Sequence, residues 1–300
     1  MKIALINPYE LGRQPFGLAE PAAFLKRDGH AVTCCDLSIQ KLDDCLTADT
    51  GIVAIYIAMH TATRIAIEAL PKIKQLAPNA SLCVYGLYAP MNAELFRSLG
   101  VMTVIGGEFE YGLCDMAGRI QSGKGERQTE PETRLDKIQF IAPDRDTLPE
   151  LSRYAQLINT DGSTQTVGFS ETTRGCKYLC RHCPVVPVYQ GKFYVIPADI
   201  VLADIRAQIK AGATHISFGD PDFFNGPGHA LRIVRALHDE FPDISYDATI
   251  KIEHIVRYPE EIRVLAETGC LFILAAVESM DDNILKLLDK GHTRQDFINA

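Results

Sequence analysis

Residues 165–184 read QTVGFSETTRGCKYLCRHCP. The opening Gln165–Ser170 is a short run with β-branched and aromatic residues that predicts a strand. Cys176, Cys180 and Cys183 follow at spacings of four and three. They therefore fall in the loop at the carboxyl end of a strand, the edge where β/α folds bind ligands. Gly175 lets the backbone turn tightly just before the first cysteine. Three thiolates so spaced wrap one side of a compact group. They leave an iron–sulfur cluster one ligand short of four, and catalysis at a metal requires such an open position. Other readings of the same residues are a structural zinc with His182 or a distant His as fourth ligand, a four-cysteine electron-transfer cluster completed by Cys270, and three unrelated buried cysteines.

After this loop the chain repeats β then α. Strands are expected at His215–Gly219, Ser245–Ile250 and Leu271–Ala276. Helices are expected at Ala198–Ala211, Gly228–Phe241, Tyr258–Glu267 and Asp281–Asp289. Four β/α units make part of a barrel or a second wound sheet, and four units do not close a barrel comfortably. Before the loop, residues 122–149 are polar, rich in Gly, Pro and mixed charge, and read as a linker, with a short helix expected near 150–157. Upstream lie five short apolar runs: Lys2–Asn7, Ala31–Asp36, Gly51–Ile57, Ser81–Tyr85 and Met102–Ile105. They alternate with helical stretches at Gly17–Asp28, Thr61–Leu76, Met91–Leu99 and Tyr111–Gln121. Pro71 sits where it would kink or split the second of these helices. Five such alternations imply a flavodoxin-like, doubly wound parallel sheet. The expected organisation is an α/β domain over 1–121, a linker over 122–149 and a partial (β/α) barrel over 150–300.

Composition agrees with folded α/β domains. The chain has 300 residues, 47% of them hydrophobic, and a net charge of −8. That balance argues against a nucleic-acid or anionic-membrane surface, and no apolar run reaches the length of a membrane span. MKIALINPYE reads as a first strand rather than an export signal, which points to a reducing, cytoplasmic location. There the scattered Cys34, Cys35, Cys45, Cys83, Cys114 and Cys270 are expected as ordinary buried thiols, and the tight trio as a metal or redox site.

CKYLCRHC resembles the CxxxCxxC motif of the radical SAM superfamily, and Leu148–Ala300 resembles its catalytic barrel. The resemblance extends to the lead-in Thr172-Thr173-Arg174-Gly175, to Val277-Glu278-Ser279 and to Lys290-Gly291-His292-Thr293. It implies a [4Fe–4S] cluster on Cys176, Cys180 and Cys183, with S-adenosylmethionine (SAM) chelated at the fourth iron. It further implies SAM contacts from Tyr178, His182, Asp220 and Glu278. His182 stands where relatives usually place an aromatic, and Gly219-Asp220-Pro221 replaces their usual Gly-Gly-Glu.

Residues 1–120 resemble the cobalamin-binding-like domain that precedes many such barrels, on Leu5-Ile6-Asn7-Pro8, Gly29-His30-Ala31-Val32 and Gly106-Gly107-Glu108-Phe109-Glu110. The resemblance implies possible cobalamin contacts from Met59, His60, Gly86 and Gly107. The D-x-H-x-x-G motif that supplies a lower cobalt ligand is absent, and Gly86-Leu87-Tyr88 replaces the usual Gly-Gly. The implied activity is reductive cleavage of SAM to methylate or rearrange a small molecule, fed by a one-electron reductant such as flavodoxin or ferredoxin. Two alternatives stand beside it: transfer of the 3-amino-3-carboxypropyl arm of SAM, and a zinc-stabilised binding module with no enzymatic role.

Overall fold

The computed structural model describes residues 1–125 and 132–300. The chain divides into two compact units, Met1–Arg153 and Tyr154–Ala300.

The first unit is a parallel sheet in the order β2-β1-β3-β4-β5-β6. Its strands are β1 (Lys2–Asn7), β2 (Ala31–Asp36), β3 (Ile52–Tyr56), β4 (Ser81–Tyr85), β5 (Thr103–Gly107) and β6 (Glu132–Arg134). Its helices are α1 (Phe16–Arg27), α2 (Leu42–Cys45), α3 (His60–Leu76), α4 (Ala93–Ser98) and α5 (Glu110–Gln121). Because helices cover both faces, the strands read as unbroken apolar runs. Alternate residues go to opposite faces. Ala4, Ile6, Val53 and Ile55 pack with Leu70 and Ile73 of α3. Leu5 and Ala54 pack with Leu18 and Leu25 of α1 and Met116 of α5. Pro71 lies inside α3, which runs through it as one helix. The polar stretch expected as a linker supplies β6, which extends the sheet beyond β5. Residues 126–131 of that stretch lie outside the described residues.

One expectation about the cysteines is corrected here. Cys35, at the end of β2, and Cys45, closing α2, form a disulfide with Cα atoms 5.9 Å apart. The ten-residue loop folds α2 back onto β2, so these two are not independent thiols.

The second unit holds a five-stranded sheet in the order β13-β12-β11-β8-β7. β8 (Thr164–Ser170), β11 (His215–Phe218), β12 (Ser245–Thr249) and β13 (Cys270–Leu274) are parallel. β7 (Gln156–Ile158) runs antiparallel along β8. The helix expected near 150–157 is a single 3-10 turn, Leu151–Arg153, followed by β7. Helices α6 (Val185–Tyr189), α7 (Ala198–Lys210), α8 (Pro227–Glu240), α9 (Ile252–Arg257) and α10 (Pro259–Glu267) follow the strands in turn. After β13 come α11 (Asp282–Leu287) and α12 (Arg294–Asn299). The architecture is the expected one, a wound parallel sheet followed by a partial β/α barrel. A two-stranded ribbon, β9 (Thr173–Gly175) with β10 (Phe193–Val195), brackets the cysteine loop.

Candidate functional site

The cysteine loop is held by the segment after β11. Asp220 is buried and accepts three hydrogen bonds: from Thr172 N–H at 2.9 Å, Thr172 Oγ1 at 2.7 Å and Thr173 Oγ1 at 2.6 Å. Burial pushes its carboxyl up to about 6, against the pull of those donors. Asn225 Nδ2 donates to Gly175 O at 3.1 Å, and Lys177 Nζ donates to Phe224 O and Asn225 O at 3.3 and 3.2 Å. Gly175 has φ +73. A Cβ there would stand 2.5 Å from the Tyr189 ring and 2.6 Å from Lys192 O. The tight turn expected before Cys176 is thus built around a residue that only glycine satisfies.

Cys176, Cys180 and Cys183 line one cleft at the carboxyl edge of the sheet, together with Tyr178, His182, Asp222, Lys251, Glu278, Lys290 and His292. The cleft opens to solvent. Cys176 and Cys180 are buried and Cys183 is half-buried. Burial pushes the Cys176 thiol up to about 11 and raises that of Cys180. Ligation by a metal would draw off those protons.

Tyr178, between the first two cysteines, is tied to an inner chain of polar groups. Its hydroxyl lies 2.6 Å from His254 Nε2, and His254 Nδ1 lies 3.2 Å from Asp222 Oδ1. With Nδ1–H donating to the carboxylate, Nε2 is left to accept the tyrosine O–H. His254 and Asp222 are fully buried. Lys251 Nζ sits 3.2 Å from the Tyr178 ring centroid, a close cation–π contact. On the far wall, Glu278 Oε1 lies 3.0 Å from His182 Nε2 and 3.3 Å from Lys290 Nζ. Glu278 has φ +65, an uncommon conformation for a residue with a side chain.

Of the residues expected to contact SAM, Tyr178, His182 and Glu278 line the cleft, while Asp220 lies outside its lining and anchors the loop. Asp222, Lys251 and His254 were not singled out from sequence. No motif marks them, and the topology brings them beside residues some 30 to 80 positions away.

The chemistry of the donor set, three thiols and one open position, is that of an iron–sulfur cluster with an open iron. Three thiols share one cleft. Among the described residues no group of three His, Cys, Asp or Glu side chains is arranged to hold a single metal ion in the structure as it stands.

At the carboxyl edge of the first unit, Met59 is half-buried and His60 is exposed at the start of α3. Gly86 has φ +105 and Gly107 φ +70. At both glycines the direction a side chain would take is filled by the protein's own atoms. A Cβ on Gly86 would lie 2.7 Å from the Tyr56 ring, and one on Gly107 would strike the Arg134 carbonyl.

Residues 170–300 match the family profile described as Radical SAM superfamily. This part of the chain is a radical SAM domain. Among curated proteins, the chain is 25% identical over 203 residues to bacteriochlorophyllide d C-12(1)-methyltransferase of Chlorobaculum tepidum, covering 66% of this chain and 42% of that protein. It is 25% identical over 318 residues to an uncharacterized methyltransferase of Pyrococcus horikoshii, covering 95% and 65%. Among solved structures, the fold is similar to the radical SAM methyltransferase TsrM from Kitasatospora setae, solved with cobalamin and a [4Fe-4S] cluster bound. The TM-score is 0.73 at 18% identity, over 98% of this chain and 63% of that one. It is also similar to the cobalamin-dependent radical enzyme OxsB with aqua-cobalamin and SAM bound, with TM-score 0.66 at 16% identity, over 99% and 46%. The chain spans 42–65% of the length of these proteins. Among the described residues no helix is long and apolar enough to cross a membrane.

Proposed function

We propose that this chain reductively cleaves SAM at a [4Fe–4S] cluster held by Cys176, Cys180 and Cys183 and transfers a SAM-derived group to a small molecule. The observation that carries the reading is the placement of all three cysteines on one open cleft at the carboxyl edge of a radical SAM domain. The methyltransferase names of the relatives support the transferase class. When bound, the cluster supplies an open iron for SAM and the electron that breaks a C–S bond.

The protein's own residues divide the remaining work. Asp220, through Thr172 and Thr173, fixes the entry to the cysteine loop, and the chain Asp222–His254–Tyr178 fixes its middle. His182, Glu278 and Lys290 form a charged wall suited to the polar ends of SAM. Lys251 and Lys290 bring positive charge to a cleft that must take a carboxylate and accept an electron. The apolar Ile250, Ile252 and Ala276 complete the lining and exclude water from part of it. We assign the organisation expected from sequence to this activity. A cobalamin-binding-like unit precedes the radical SAM barrel, in a cytoplasmic enzyme served by flavodoxin or ferredoxin.

Anaerobic reconstitution with iron and sulfide, followed by absorbance and EPR, tests the cluster. The expected result is about four irons per chain and a reducible cluster signal that shifts with SAM. A colourless protein that takes up zinc alone refutes the reading. Product analysis then identifies the group moved. S-adenosylhomocysteine marks methyl transfer, methylthioadenosine marks aminocarboxypropyl transfer, and 5′-deoxyadenosine marks radical generation by the usual bond.

A further inference from the structure

The parallel strands of the second unit present two faces, and residues in register across them point the same way. Tyr246 of β12 turns toward the helices, where its hydroxyl donates to Leu265 O of α10 at 3.0 Å. The alternate positions turn to the other face: His215 and Ser217 on β11, Ser245, Asp247 and Thr249 on β12, and Phe272 on β13. Thr249 lines the cysteine cleft, so this face runs down from it. Asp247 stands two residues before Thr249 on the same strand, about 7 Å deeper. The interior of a β/α barrel is ordinarily filled by branched apolar side chains, and here it carries a polar layer. His215 Nε2 donates to Asp247 Oδ2 at 2.9 Å, and Ser217 Oγ donates to the same oxygen at 2.6 Å. His215 Nδ1 rests 2.8 Å from Ser245 Oγ. Phe272 stacks on the His215 ring, with centroids 6.1 Å and planes 12° apart, and is 39% exposed.

Both donors fall on Oδ2. Among the described residues nothing hydrogen-bonds to Oδ1, and that oxygen is not fully sealed from solvent, although the side chain is only 5% exposed. A carboxylate oxygen withdrawn from water without a partner costs free energy, which a ligand donating to it recovers. Nothing in the site described above uses Asp247. We propose that Asp247 is a specificity-determining residue that takes a protonated amine of the acceptor on Oδ1, with Phe272 against the apolar carbon beside that amine. Charge selects an ammonium over a neutral donor, because a charge-assisted hydrogen bond is about twice as strong. The two lysines of the cleft do not oppose a cation here, since each is paired with its own glutamate, Lys251 with Glu253 and Lys290 with Glu278. The amine then lies below the cleft, and the rest of the acceptor extends up into it. That the molecule so held is the acceptor rests on the proposed function; the amine subsite itself rests on the second sheet alone.

The probe is phenethylamine, which is protonated at neutral pH; phenethyl alcohol and phenylpropanoate are its neutral and anionic counterparts. Each is titrated by isothermal calorimetry into the full chain, reconstituted anaerobically with iron and sulfide and held with excess SAM, and into the same chain without iron. The amine is expected to bind at least about tenfold tighter than either counterpart. Asp247→Asn should remove that preference and leave the affinity for the alcohol unchanged. Amine binding that is absent, that only matches the alcohol's, or that survives Asp247→Asn overturns the proposal. Because Asp247→Asn also disturbs a buried network, its melting temperature is measured alongside, and Phe272→Ala supplies a second variant at a part-exposed ring. Phe272→Ala is expected to weaken the amine about fivefold with little change in melting temperature. An unchanged affinity there equally overturns the proposal. SAM cleavage is measured on the same samples without the probe. Cleavage lost with the amine preference intact counts against the proposed function alone, and cleavage intact with the preference absent counts against the subsite alone.

Discussion

The hydrogen-bonded chain from Tyr178 through His254 to Asp222 makes a quantitative prediction. All three side chains come from different elements, and two of them have no exposure. Tyr178→Phe removes one hydrogen bond of 2.6 Å and leaves His254 Nε2 buried with no donor, at a cost of about 2 kcal/mol. His254→Phe is more damaging. It leaves the Asp222 carboxylate with two long backbone donors, Lys251 N–H at 3.3 Å and Phe224 N–H at 3.4 Å. An uncompensated buried charge of this kind costs about 3–5 kcal/mol. In the double variant the tyrosine hydroxyl has already lost its partner, so removing it adds little. The double variant is therefore expected to be less destabilised than the sum of the singles by about 1–2 kcal/mol.

The chain has no Trp, so urea unfolding of the apo protein is best followed by far-UV circular dichroism. The variants should move the transition of the second unit and leave that of the first in place. Because Tyr178 lies between Cys176 and Cys180, the iron retained after reconstitution should fall along with stability. Singles that add to within about 0.5 kcal/mol would show that the two side chains do not interact. Tyr178→Phe with unchanged iron content would show that the relay does not hold the cluster loop.

Further outcomes follow from the same geometry. Alanine at Cys176, Cys180 or Cys183 should reduce cluster content and SAM cleavage to below about a hundredth of wild type, since each removes one of the three ligands proposed for the cluster; cleavage that persists at Cys176→Ala defeats the ligand assignment. Gly175→Ala places a methyl against Tyr189 and Lys192 O at positive φ, so a loss of at least about 2 kcal/mol is expected in the second-unit transition, with loss of bound iron. Glu278→Gln keeps the shape of the wall but weakens its hold on Lys290 and His182. SAM affinity, measured by equilibrium dialysis, should fall about tenfold with little change in unfolding. Glu10, in the first unit, has a buried Oε2 with no hydrogen-bond partner, and burial with nearby Asp36 pushes its carboxyl up to about 8 from 4.5. Its folded value exceeds its unfolded one. The stability linked to it is therefore complete below about pH 4.5 and lost as pH rises through 8, on the order of 5 kcal/mol in all. Glu10→Gln should flatten that slope in unfolding curves taken between pH 5 and pH 8.

The sequence made the central strands legible for a physical reason. A parallel strand covered on both faces needs apolar residues at every position, so β1 to β5 appear as continuous runs bounded by turn residues. The three-residue edge strands β6 and β7 carry no such pattern. They pair on one side only, and a polar segment suffices for that. The same contrast holds at the site. The cysteines, Gly175 and Glu278 announce themselves by spacing and by motif. His254 does not, because its role depends on lying against Tyr178, 76 residues earlier, and Asp222, 32 residues earlier. Asp220 and Asp222 show how little separates the two cases. Both are buried and stand two residues apart, yet one accepts from the loop lead-in and the other faces His254 and lines the cleft. Nothing local in Gly-Asp-Pro-Asp distinguishes them.

The charges of the cleft bear on what it takes in. Lys251 and Lys290 stand within a chain of net charge −8, and both are paired there: Lys251 with Glu253 at 3.2 Å and Lys290 with Glu278 at 3.3 Å. Binding a nucleic-acid backbone calls for a stripe of cations that releases many counterions. Two paired lysines in one cleft do not form such a stripe. Opposite charges set close together in a partly apolar pocket suit a small zwitterion, whose amino and carboxylate groups exchange partners with groups already paired. The methionine end of SAM has this character. The paired charges of the cleft thus match the amino and carboxylate groups of SAM, as the proposed function requires.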